Sequence, residues 1–104
     1  MNELHRELLV RALQHLRAGN NTYICGAIGH GVNDIVAERM PKASERRAMF
    51  AAERDLSRRI HNEIDCCISY TDWLARRGYP AYSQNHKWVQ ESRIAWTQFM
   101  LENW

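Results

Sequence analysis

Arg47, Arg54 and Arg58, followed by His61, fall within a narrow arc when the stretch from Ser44 to Cys67 is wound at about 100° per residue. A guanidinium is a planar fork of donors that grips carboxylate or phosphate bidentately, so such a row suits a surface that binds an acidic protein or a phosphate backbone. The same row also fits a solvated face laced with weak ion pairs, because Asp55 and Arg59 stand four residues apart and Glu53 and Asp65 flank it. Read in this way the row has no interleaved aromatic residue, which leaves base stacking without support.

The other reactive side chains are scattered. His5 and His15 lie in or beside an apolar helix face, where packing is their expected use. Cys25, Cys66 and Cys67 lack the paired spacings of a zinc site or a secreted disulfide framework and are read as thiols. Cys67 follows a row of core positions and fills space there. His61 and Cys66 make at most half a metal site, so no metal is expected. Gly26, Gly29 and Gly31 sit inside an apolar repeat without the Lys-Ser/Thr ending of a phosphate-binding loop. With no nucleophile beside a base, no catalytic residue and no cofactor are assigned, and the chain is read as a non-enzyme.

These residues need helices to position them. Ser44 to Cys67 contains no Gly or Pro and repeats Met49, Leu56, Ile60, Ile64 and Cys67 at helical spacing, so it reads as one helix of about 36 Å along which the rest must pack. A first helix runs from Asn2 to Ala18 on Leu4, Leu8, Leu9, Ala12 and Leu16, with Gly19 as its stop. A second, capped by Thr22, carries Ile24, Ile28, Val32 and Ile35 up to Pro41. Its three glycines each cost about 1 kcal/mol against Ala, for which close approach of another backbone is the simplest compensation. The opposite side of that helix bears Gly26, His30, Asn33 and Ala37, small and poor in charge. Either this helix is central in the bundle, or the Gly26/His30/Asn33 side meets a partner or a second copy of the chain. A short helix with Trp73 and Leu74 ends at Gly78, and Tyr79 to Tyr82 is a connector. A last helix from Ser83 or Gln84 turns Trp88, Ser92, Ala95, Trp96 and Phe99 to the core. Its other side, with Lys87, Ile94 and Leu101, joins Trp104 in a leftover apolar surface.

The fold expected is therefore all-α: one domain over residues 1–104, a compact bundle of four main helices plus one short helix. A formal charge of +2 does not by itself call for nucleic acid. No apolar run reaches the roughly 20 residues of a membrane span, and MNELHREL lacks the apolar core of a signal peptide, so a cytoplasmic protein is expected.

The stretches YICGAI from Tyr23, YTDWLARRG from Tyr70 and RIAWTQFMLENW from Arg93 resemble small accessory proteins encoded in phage and prophage genomes. In those proteins an Ile-Cys-x-Ala stretch precedes a Trp-Leu helix and an Arg-x-x-Trp helix. The resemblance covers most of the chain from Thr22 onward. It implies a bacterial cytosol and an accessory role in infection, at a size similar to anti-CRISPR proteins and other phage inhibitors, and it carries over no active residues. The function expected is binding and inhibition or redirection of a host protein complex. Arg47, Arg54, Arg58, His61, Ile94, Leu101 and Trp104 are the candidate contacts. The alternative is a small protein associated with nucleic acid, whose arginine row contacts phosphates and whose affinity falls with salt.

Overall fold

The computed structural model describes residues 1–21, 23–65, 76 and 86–104. These form four helices: α1 (Glu3–Ala18), α2 (Ile24–Arg39), α3 (Ala43–Asp65) and α4 (His86–Asn103). The all-α bundle expected from the sequence is the fold observed. The short helix expected around Trp73 and Leu74, its caps, the Tyr79–Tyr82 connector, Thr22, Cys66 and Cys67 lie outside the described residues.

α1 begins where Asn2 Oδ1 accepts the His5 N–H at 2.9 Å, which satisfies one of the free donors of the first turn. It ends at Gly19 in the left-handed region, φ 77°. Asn20 N–H donates back to His15 O at 3.0 Å and Gly19 N–H to Leu16 O at 3.2 Å. This paired closure needs a residue without a Cβ penalty at the turn, which is what Gly19 supplies.

The longest helix is not the hub. α1 packs against α2, α3 and α4, so the first helix, rather than the Ser44–Cys67 stretch or α2, holds the bundle together. The reason is the width of its apolar face. Leu8, Leu9, Ala12, Leu13 and Leu16 are buried and span about 140° of the wheel, whereas the buried Met49, Ala52, Leu56 and Ile60 of α3 span about 80°. A broad stripe can meet several neighbours and a narrow one cannot.

α2 starts at Tyr23, which provides no side-chain cap; Asn21 Oδ1 instead accepts the Tyr23 N–H at 2.8 Å. The helix ends at Met40 in the left-handed region, φ 45°, where Pro41 cannot continue it. Close backbone approach does explain one glycine. A Cβ on Gly31 would stand 3.0 Å from Arg11 Cβ and 3.6 Å from Leu8 O, so this position lets α2 settle directly onto α1. Three arginine–carboxylate contacts lace the outside of the same seam: Arg11 to Glu38 at 2.7 Å, Arg11 to Glu7 at 3.5 Å, and Arg39 to Glu7.

α4 closes the core with Trp96 and Met100, both fully buried beside Ser92 and Thr97, while Ala95 and Phe99 are only half-buried. The inward face is thus rotated toward Met100 relative to the expected Ala95/Phe99 row. Gln90 Nε2 donates to Leu16 O at 2.6 Å, and Arg6 Nη1 donates to Leu101 O at 3.0 Å, so polar links fix both ends of α4 on α1.

Candidate functional site

The outer face of α3 is defined by which side of the helix the core takes. Met49, Ala52, Leu56 and Ile60 turn inward, and the opposite arc leaves Arg47, Arg54, Arg58 and His61 exposed. Among the described residues no carboxylate lies within ion-pair distance of Arg47, Arg54 or Arg58. Several arginines elsewhere are engaged. Arg11 and Arg39 are paired with glutamates, Arg6 holds a backbone carbonyl, and Arg93 lies 4.6 Å from the Tyr23 ring centroid. Arg17 and Arg46 are likewise exposed without a carboxylate partner among the described residues, so three of the five unpaired guanidinium groups share one helix face.

Two details of that face differ from the sequence expectation. The ion pair expected between Asp55 and Arg59 is not made: Asp55 Oδ2 lies 4.0 Å from His5 Nε2, and Arg59 stacks its guanidinium 3.9 Å from the Trp104 ring centroid. A cation over an indole face is held by the ring quadrupole and needs no carboxylate. The row also contains an aromatic after all. Phe50 is 44% exposed and lies about 60° from Arg47 on the wheel, between Arg47 and Arg54 along the axis. The clue was in the sequence: an apolar side chain on the charged side of an amphipathic helix, three residues from one arginine and four from the next.

The other candidate contacts are placed less openly. Ile94, Leu101 and Trp104 are half-buried and pack against the core, with Trp104 edge-on to Trp96 at 5.6 Å. They do not stand out as an exposed apolar face. The side chains of Lys87 and Trp88 lie outside the described residues. Gly26, His30 and Asn33 do not form one open face either. Gly26 is covered by the Asn21 side chain, His30 stacks on His15 with ring centroids 5.0 Å apart, and Asn33 is exposed.

The remaining reactive groups are tied into packing. His15 Nε2 lies 2.5 Å from Asp34 Oδ2 across the α1–α2 seam, and Asn20 Nδ2 lies 2.7 Å from His15 Nδ1. Held by both ring nitrogens, the imidazole acts as a cross-helix strut between the end of α1 and α2. His5 is half-buried, and its Nδ1 has no hydrogen-bond partner among the described residues. Cys25 is half-buried; burial pushes its thiol pKa up, while a hydrogen bond with Ser57 acts the other way. A thiol held protonated is a poor nucleophile. No group of three His, Cys, Asp or Glu among the described residues is placed to hold a metal.

Among the described residues three clefts can be delineated, and none of these three is lined by the α3 row. One of about 570 Å³ runs along α1 and α2 past Glu7, Arg11 and Glu38. Two of about 240 Å³ lie beside His5, Arg59 and Trp104, and beside Leu4, Pro41 and Met49. The α3 face is convex and charged, a shape suited to meeting another surface rather than enclosing a small molecule. No helix of the described residues is long and apolar enough to cross a membrane. Comparison of the chain with protein-family models, curated proteins and solved structures returned no match.

Proposed function

We propose that this chain is a non-enzymatic binding protein of the phage accessory type, which attaches to a host protein complex in the bacterial cytosol and blocks or redirects it. The observation that carries the binding reading is the outer face of α3, where Arg47, Arg54 and Arg58 are exposed without carboxylate partners while the arginines of the α1–α2 seam are paired. Leaving several arginines together and unneutralised gains nothing for the fold. It supplies long-range attraction and bidentate contacts to an acidic partner. The phage character and the inhibitory role rest on the sequence resemblance alone.

The test is capture of partners by the tagged protein from bacterial lysate, with and without nuclease, followed by mass spectrometry. A stoichiometric host protein that survives nuclease is the expected result. Captured proteins that vanish with nuclease would transfer the arginine face to nucleic acid, whose binding would then weaken steeply with salt.

A further inference from the structure

We propose that the outer face of α3 docks an acidic α-helix of a partner protein, with Phe50 as the apolar anchor of the contact. The inference rests on the α3 face being the binding surface and names the chemistry of what it receives. Arg47, Phe50, Arg54, Arg58 and His61 follow one another at spacings of three, four, four and three residues. This is the spacing of a seam that stays on one side of a helix for four turns, about 21 Å, and it is the track along which a second helix packs. All five residues are exposed, and no described carboxylate neutralises the three arginines.

Charge complementarity then fixes the partner. Three permanent positive charges along the track call for Asp or Glu at matching turns of the facing helix, each gripped by a guanidinium fork. Phe50 calls for one apolar side chain among them. A ring with 44% of its surface exposed, set between two arginines, brings together residue types that are enriched in protein interfaces. Phe50, Arg47, Arg54 and Arg58 are exposed along the helix and line none of the three clefts among the described residues. Single-stranded nucleic acid is less well served, because its binding sites combine a groove with a succession of aromatic platforms, and this face offers one ring on a ridge.

The experiment is fluorescence anisotropy at physiological salt with the full chain and three labelled probes. The first is a helical peptide of about three heptads with Glu facing Arg47, Arg54 and Arg58 and Leu facing Phe50. The second has the same composition in scrambled order, and the third is an oligothymidylate of about 20 nucleotides. The matched peptide should bind at least about tenfold more tightly than either control. Phe50→Ala should weaken the matched peptide about fivefold or more and leave the scrambled one unchanged, with the helical circular dichroism signal intact. Arg54→Glu should remove binding of both peptides. Equal binding of matched and scrambled peptides, sensitive to Arg54→Glu but not to Phe50→Ala, overturns the helical anchor and leaves the arginine face as a charge-selective surface. Binding indifferent to Arg54→Glu, or no peptide binding, overturns both readings. Tighter binding of the oligothymidylate overturns the proposal in favour of nucleic acid.

Discussion

The Arg59 guanidinium sits 3.9 Å from the centroid of the Trp104 ring, which joins the outer edge of α3 to the end of α4. One contact thus removes an arginine from the charged face and an indole from solvent. Trp104 also meets Trp96 edge to face, with the ring planes at 84°. Trp104→Ala should therefore lower stability by about 2 kcal/mol, less than for a fully buried Trp because the ring is half-exposed. Arg59→Ala should cost about 0.5–1 kcal/mol. Urea denaturation of the single and double variants checks the pair: a coupling energy near zero would mean that the two side chains do not support each other.

Gly29 and Gly31 are two residues apart, and alanine should act on them in opposite directions. Among the described residues a Cβ at position 29 would meet only Glu53 Oε1, at 3.5 Å, an ordinary contact. Gly29→Ala should then gain part of the roughly 1 kcal/mol helix advantage of Ala over Gly. At position 31 the added carbon meets Arg11 Cβ at 3.0 Å, and this atom is fixed to the α1 backbone. Gly31→Ala should push the two helices apart and lower stability by about 1–3 kcal/mol. Thermal denaturation of the two variants side by side decides it, and equal shifts would contradict the close approach.

Met40 holds a left-handed conformation, 84% exposed, directly before Pro41. The left-handed region costs a residue with a Cβ about 1–2 kcal/mol, and an exposed side chain recovers little by packing. Met40→Gly should raise stability by about 0.5–1 kcal/mol after allowing for the greater freedom of Gly in the unfolded chain. A lowered melting temperature would place the turn in another conformation.

The Glu38 carboxyl is held below the ordinary carboxylate range, first of all by its hydrogen bonds from Arg11. A group whose folded-state pKa is depressed contributes stability that is fully present above its unfolded value, here about 4.5, and is lost as pH falls through the folded value. The melting temperature of the native chain should drop more steeply below about pH 4.5 than that of Glu38→Gln, which has no proton to gain. Parallel curves would show that the pair does not distinguish the protonation states. High salt should shrink the difference, because Glu38 is exposed.

Much of this architecture could be read before any coordinates. Gly19 announces the end of α1, the apolar spacing of α1 to α3 announces their inner faces, and three glycines in α2 announce a close approach that the structure locates at Gly31. Where the sequence misleads, tertiary partners decide. Asp55 and Arg59 satisfy the local rule for an ion pair, but His5 and Trp104 come from other helices and take them. Helix length points to α3 as the organiser, whereas the breadth of the buried face, with Leu13 adding to it, makes α1 the hub. Phe50 was visible as an apolar residue on the charged arc. Its exposure follows only once Met49, Ala52, Leu56 and Ile60 are seen to fill the space beneath α3.

The central claim is that the unpaired arginines of α3 recruit the partner, and capture after charge reversal tests it most directly. Arg58→Glu and Arg17→Glu change the net charge equally, both at exposed positions, one on the proposed face and one near the end of α1. With nuclease-treated lysate and equal amounts of folded bait, Arg58→Glu should reduce recovery of the nuclease-resistant partner about tenfold or more, and Arg17→Glu should leave it near the native level. Equal recovery with both variants would contradict the account, because the α3 face would then be an ordinary solvated one.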